Sequence, residues 1–322
     1  MSMARAARRV DVWVIGLVAC VACRGEGTGT AVVHVDRGTT ATALTSVLVA
    51  EALVPSDMAW KVFLRTTDAG CIQAGRQEVP RGASMQEVLA ALCSRPDPVT
   101  VPFTVIEGWT IRDIDASLAK HKLASAGDFL AVAKPDTVDA PFPITGPSLE
   151  GYLLPDTYAV EPEGFSPLGF AKTLVSAFHQ RFAKDAVLGG RTLHDVVVMA
   201  SLLEREEPRS ENRPMVAGIL WKRLDEGWAL GVDATSRYGL PDWNDRKAFL
   251  ARLRNPDDPF NTRLRKGLPP HAIGSPSVDA LKAATAPTAS PYYYYLHDRQ
   301  GGLHPAENAA GHEANRRTYD VY

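Results

Sequence analysis

The sequence predicts an α+β protein, with a small strand-helix N-terminal region over residues 31–145 and a larger mixed α/β region over 146–322. Three observations predict it. A short apolar strand leads through a turn into a helical pattern twice, in VHVDRGTTATAL and FTVIEGWTIRDI, a weak internal repeat rather than an array. A proline-rich stretch, 135–147, holds Pro135, Pro141, Pro143 and Pro147 and reads as the joint between the two regions. Beyond it the spacing becomes predominantly helical. The chain has 322 residues, 45% hydrophobic and 22% charged, the proportions of a globular protein long enough to bury a core without metal staples. A formal net charge of -2 excludes the basic footprint of a general nucleic-acid binder.

The elements follow in order. AVVHV, 31–35, reads as a strand, and Leu44, Val47, Leu48 and Leu53 predict a helix over 39–53 that Pro55 stops. Ser56-Asp57 starts a helix over 56–66, and residues 77–80 are extended. Ser84 and Glu87 form a capping-box pattern ahead of Val88, Leu89 and Leu92. VPFTVI, 101–106, is the next strand, after which Thr110 caps a helix with Ile111, Ile114 and Leu118 on its apolar face. In the second region, helices are predicted over 166–183, 192–206 and 212–226, the last closed by Gly227. A long Pro/Asn/Gly loop, 254–276, is of the kind that usually carries function. A helix over 277–284, a strand over 292–296 and a helix over 306–318 complete the chain.

Residues 1–23 read as an address: Arg5, Arg8 and Arg9 precede an apolar run of about 12 residues, short of the roughly 20 a membrane span needs. Leu17-Val18-Ala19-Cys20 resembles a lipobox, in which Cys20 would be lipidated; a cleaved signal and a short uncleaved anchor are the alternatives. All three place the body outside the cytoplasm, and residues 24–30 then read as a flexible tether. Cys71 and Cys93, 22 positions apart, would pair in an oxidising compartment or remain as two buried thiols. No paired CxxC, P-loop or HExxH occurs, so neither metal nor cofactor is expected.

Chemistry concentrates in Leu149-Glu150-Gly151-Tyr152-Leu153-Leu154-Pro155-Asp156-Thr157-Tyr158. Leu149, Leu153 and Leu154 would desolvate Glu150 and raise its pKa, which is how a carboxyl stays protonated as a general acid. Tyr152 and Tyr158 could line a sugar-binding groove; the plainer reading is a turn whose acid caps a helix or pairs with an Arg.

EGYLLPDTY resembles the signature of the endolytic murein transglycosylases (MltG, YceG-like), whose motif is close to EGYLFPDTY. MASLLEREE (199–207) resembles that family's ASIVEKET helix, and RPMVAGILWKRLDEGWAL (213–230) its RPxVAxVFxNRLxxGMxL segment. Asp233, Thr235, Tyr238 and Gly239 fit DPTxxYG; Asn261-Thr262 fit NTY; Gly267-Leu268-Pro269-Pro270 fit GLPPGPI. Gly301-Gly302 and His312 fit a terminal glycine-pair and histidine pattern, and Glu107-Gly108-Trp109-Thr110 resembles the IPEGWT start of a LysM-like unit, here around 101–145. Ala234 stands where the family has Pro, Arg263 where it has Tyr, and Leu303 where it has His.

The resemblance implies that residues 146–322 form a catalytic domain cleaving MurNAc-GlcNAc β-1,4 bonds in glycan strands to leave 1,6-anhydromuramyl ends, with Glu150 as general acid and base. It implies substrate contacts from Asp156, Thr157 and Tyr158 around the Glu150 loop and from Asn261 and Thr262. Glu204, Asp233 and Thr235 are either cleft residues or structural ones, Glu204 for instance through an ion pair with Arg213 or Arg223. Peptidoglycan is the implied partner, possible peptidoglycan synthases a second one, and a membrane-anchored protein with its catalytic domain in the periplasm the implied setting. Two alternatives stand beside it: a non-catalytic peptidoglycan-binding or scaffold protein, and a muramidase using Asp156 or Glu204 as second carboxylate.

Overall fold

In a computed structural model, residues 27–36, 38–95 and 99–321 are described. Cys20, the signal segment 1–23 and the first part of the tether lie outside them. Among the described residues no helix is long and apolar enough to cross a membrane.

The chain forms two compact units, divided between Val99 and Thr100. In the first, strand β1 (Thr30–Val35) pairs antiparallel with β2 (Gly75–Pro80) in the register Val33 to Gln77. Helices α1 (Thr45–Ala50) and α2 (Asp57–Leu64) lie between them in sequence, and α3 (Met85–Cys93) follows. The alternation of β1 puts Ala31, Val33 and Val35 into a core with Leu48, Leu53, Trp60, Val88 and Leu92. The helix expected over 39–53 is only six residues long, because residues 40–44 wind as turns in which Thr40 and Thr42 bind nearby groups through Ala43 N–H and the Thr45 hydroxyl. Cys71 and Cys93 are joined by a disulfide, tying the β2 approach to the end of α3.

The second unit opens with the same order of elements. Strand β3 (Val101–Val105), helices α4 (Ile111–Lys120) and α5 (Asp128–Val132) and strand β4 (Asp156–Val160) follow one another, and β3 pairs antiparallel with β4 from Val101–Val160 to Val105–Asp156. This corrects the boundary expected at 145/146. The proline-rich stretch is a connection inside one unit, because the strand that completes the sheet of residues 101–145 lies beyond it. The weak repeat seen in sequence is therefore a repeated strand-helix-helix-strand unit.

Helices α6 (Pro167–Arg181), α7 (Leu193–Glu206) and α8 (Arg213–Asp225) follow, then α9 (Asp233–Arg237), α10 (Arg246–Leu253) and α11 (Val278–Thr285). An antiparallel hairpin of β5 (Tyr294–His297) and β6 (Leu303–Ala306) leads to α12 (Ala309–Thr318). Helix α7, HDVVVMASLL, is apolar on nearly every side, as a helix surrounded by others must be, and Val196 to Leu203 are all buried. The unit has two cores. Phe103, Ile114, Phe129, Leu149, Leu153 and Phe170 belong to one, and Tyr152, Leu154, Phe178 and the apolar faces of α7, α8 and α11 to the other. The segment 149–154 is thus the seam between them.

Candidate functional site

Glu150 sits in a tight turn closed by the Tyr152 N–H donating to the Leu149 carbonyl at 3.0 Å. Gly151 follows at φ +89°, a conformation that favours glycine, and a Cβ there would stand 2.5 Å from Ala272 Cβ and 2.6 Å from Val197 Cγ1. Leu149 and Leu153 enter one core, and Tyr152 and Leu154 the other. The acid is thereby fixed between two packed layers, and its side chain is only 3% exposed.

Its partners come from far along the chain. Thr110 and Asp113 form a capping box at the start of α4, with the Asp113 N–H donating to the Thr110 hydroxyl. The Ile111 N–H, left without a helical partner, points at Glu150 and donates to both oxygens, at 3.2 and 3.3 Å. The Tyr238 hydroxyl, just after α9, donates to Oε2 at 3.0 Å. Burial is the largest influence on the carboxyl and pushes its pKa up to about 8, against the Ile111 and Tyr238 hydrogen bonds, which favour the ionised form. Burial also holds the Tyr238 phenol well above its usual value, so it remains a neutral donor.

The loop between α10 and α11 walls the site. The Gly108 N–H donates to the Ser275 carbonyl and the Ser275 N–H to the Trp109 carbonyl, each at 2.7 Å, while the Ile273 N–H donates to the Ser201 hydroxyl at 3.0 Å. Any Cβ at Gly274 would lie 2.4 Å from the Gly108 carbonyl oxygen, so the two backbones approach this closely only because residue 274 lacks one. Arg205, its Cζ over the Trp243 ring at 4.4 Å, donates to the same Gly108 carbonyl.

Two cavities flank this arrangement. One, of about 380 Å³, is lined by Trp109, Arg112, Arg205, Arg237, Tyr238 and Trp243 among others, so Tyr238 borders the cavity and touches Glu150 at once. The other, of about 560 Å³, is lined by Thr104, Glu107, Asp156, Thr157, Ser277 and Asp279 among others. Burial, reinforced by Glu204, raises the Glu107 carboxyl there. Among the described residues no cluster of His, Cys, Asp and Glu could hold a metal ion.

The other residues singled out in sequence divide sharply. Asp156 and Thr157 are exposed on the larger cavity, Asp156 paired with Arg181 at 2.9 Å. Asp233 is half-exposed and paired at 2.6 Å with Arg263, the residue that stands in place of the family's Tyr. Tyr158 packs edge-on against Phe170 and donates to the Leu154 carbonyl at 2.7 Å. Tyr152 does not line a groove: it is buried against Phe142 and Phe178 because its ring completes the core around α7. Glu204 is held by Arg213 at 2.8 Å and by Ser277, with both ends of the ion pair 6% exposed. Thr235 and Thr262 are buried and bonded to each other at 3.0 Å. Asn261 is also buried; its amide nitrogen donates to the carbonyls of Arg252, Leu253 and Asn255 and closes the end of α10. All three side chains are thus engaged inside the protein. Tyr238 was visible in sequence only as one letter of a motif 88 positions from Glu150.

A model of the YceG-like family matches residues 33–318. The endolytic murein transglycosylase of Bacillus subtilis (strain 168) is 24% identical over 304 residues, covering 89% of this chain and 84% of that protein. The endolytic murein transglycosylase of Streptococcus pneumoniae (strain D39) is also 24% identical, over 315 residues, and this chain spans 57% of its length. A crystal structure of a yceG-like protein from Listeria monocytogenes superposes with a TM-score of 0.57 at 20% identity, over 90% of this chain and all of that one, a likeness of fold. The buried Glu150 presented between two cores, the ordered motifs on either side of it and a match running through both units lead to one assignment: the chain belongs to the YceG-like family.

Proposed function

We propose that this protein is a lytic transglycosylase that cuts within peptidoglycan glycan strands. The observation that carries the reading is Glu150: buried, held by one main-chain and one phenolic donor, and raised to about 8. At neutral pH most of that carboxyl is protonated. It gives its proton to the glycosidic oxygen as the C1–O4 bond of the muramyl residue breaks. The resulting carboxylate then takes the proton of the muramyl C6 hydroxyl, whose oxygen bonds to C1 and closes the 1,6-anhydro ring. No water is consumed, and the group ends as it began. The Ile111 and Tyr238 donors stabilise Glu150 while it is ionised, the stage at which a buried carboxylate is most costly.

A glycoside hydrolase of the usual kind needs a second carboxylate at a set separation. The engagement of Glu204 by Arg213 and Ser277, and of Asp156 by Arg181, supports the one-carboxylate route over a muramidase. The names of the bacillar and pneumococcal relatives support the substrate class. The β3–α4–α5–β4 unit we read as the LysM-like part, and the envelope as the site of action, with the N-terminal segment as anchor. The test is mass spectrometry of purified peptidoglycan digested with the wild type and with Glu150→Gln. Anhydro-ended fragments from the wild type alone are expected. Reducing muramic acid ends would make the protein a hydrolase, and retention on the sacculus without cleavage would make it a binding protein.

A further inference from the structure

The cavity of about 380 Å³ beside Tyr238 is markedly cationic, and Arg112 and Arg205 lie close enough to Glu150 to feel its charge. Arg112, Arg205 and Arg237 line it, and Asp113 is the one carboxylate in its wall. That carboxylate is occupied, accepting the N–H and the hydroxyl of Thr110, both at 2.8 Å. Among the described residues none of the three guanidinium groups has an ion-pair partner; each donates instead to a main-chain carbonyl, of Gly239, Gly108 and Trp243 respectively. The Arg205 Nε is buried with no hydrogen-bond partner. Two of the guanidinium groups also sit over rings, Arg205 Cζ 4.4 Å from the Trp243 ring centre and Arg237 Cζ 3.9 Å from that of Phe249.

In a chain of net charge -2, three guanidinium groups without an ion-pair contact around one aromatic-walled cavity make a receptor for an anion. Arginine forks match a planar carboxylate in particular, and contact with rings helps to position them before the ligand arrives. The ligand that must come near Tyr238 is the glycan, and the anionic groups closest to its cleaved bond are the carboxylates of the peptide stem on the muramic acid lactyl group. We infer that this cavity binds a stem-peptide carboxylate, so that the protein selects peptide-bearing over bare glycan; the inference rests on the glycan-cleaving reading above. Tyr238, bordering the cavity and holding Glu150, would carry the presence of that peptide to the acid.

The test measures binding, which needs no turnover. Full-length Glu150→Gln protein is titrated calorimetrically with N-acetylmuramoyl tripeptide, with the same ligand amidated at its carboxylates, and with inorganic phosphate. The free acid should bind about tenfold or more tightly than the amide, the effect of losing a charge-assisted hydrogen bond. Adding Arg112→Gln, at an exposed position where folding is verified by thermal melting, should remove that preference. With wild-type protein, the ratio of kcat/KM on peptide-bearing to peptide-free glycan should fall about tenfold on the same substitution. Equal binding of acid and amide overturns the inference, as does phosphate binding that depends on Arg112 while the tripeptide does not. Arg112-dependent binding of the acid by a protein whose wild type cuts no glycan would instead sink the cleavage reading and leave the cavity assignment standing.

Discussion

Replacing Glu150 by Gln should make the protein more stable as well as inactive, by an amount that depends on pH. The carboxyl titrates near its ordinary 4.5 in the unfolded chain and near 8 in the folded one. Between these values the unfolded chain has lost its proton and the folded chain has kept it, so unfolding releases a proton and stability falls as pH rises. At 1.36 kcal/mol per pH unit, the loss at pH 8 is about 4 kcal/mol, and the site is buried enough that solvent screening takes little from it. Glutamine carries no such cost. Its carbonyl can accept from Ile111 and its amide can donate to the Tyr238 hydroxyl, which then turns from donor to acceptor. Urea unfolding would be followed by tryptophan emission, which Trp109, Trp221, Trp228 and Trp243 weight toward the second unit. Wild type and variant should be close at pH 4.5 and diverge to several kcal/mol at pH 8. A difference that stays constant across that range would refute the raised pKa, and with it the case for a protonated acid at neutral pH.

Three further outcomes follow from the same geometry. The kcat/KM for glycan cleavage should fall as pH rises through about 8; Tyr238→Phe removes a donor to the ionised form and should move that limb upward by about 1 pH unit, a shift a purely structural tyrosine would not cause. Gly151→Ala should cost at least about 3 kcal/mol, since the new methyl collides with Ala272 and Val197 in a left-handed backbone conformation; thermal melting would reveal a wild-type-like protein if the seam can open. Glu204→Ala strands Arg213 in the interior and should cost about 3–5 kcal/mol, while the protein that remains folded still yields anhydro ends; a stable, inactive variant would return Glu204 to the chemistry.

Local signals alone leave Glu150 ambiguous: apolar neighbours and an adjacent glycine fit a buried acid, but also an ordinary turn, and it is the resemblance of EGYLLPDTY to the family motif that singles the residue out. The elements with strong local signals were legible, among them the Thr110 cap and the all-round apolar α7. Helix α10 was not, because RKAFLARL buries only Phe249 and has no apolar stripe to read. The same weak signal obscures the surroundings of Asn261. On an apparently structureless loop a polar side chain looks free to bind ligand, whereas here it satisfies three carbonyls at the end of the helix that went unseen. The direction of Tyr152 is hidden in sequence for a related reason. Adjacency to a reactive residue says nothing about direction, and in the turn at 149–152 Tyr152 enters the core packed around α7.

What sequence could not carry at all is the convergence around the acid. Ile111, Tyr238 and Arg205 stand 39, 88 and 55 positions from Glu150, and Ile111 acts there through its main-chain N–H, which no side-chain pattern reveals. Their relation depends on glycines that act as spacers. Gly274 lets the long loop lie against Gly108 and Trp109, and that contact fixes the turn from which the α4 amide reaches Glu150. Gly151 lets the acid's own turn sit against Ala272 of the same loop. A Cβ at either position would push apart the layers that bury the carboxyl, admitting water and returning its pKa toward 4.5. The raised pKa of Glu150 is in this sense a property of two close backbone approaches as much as of the glutamate itself.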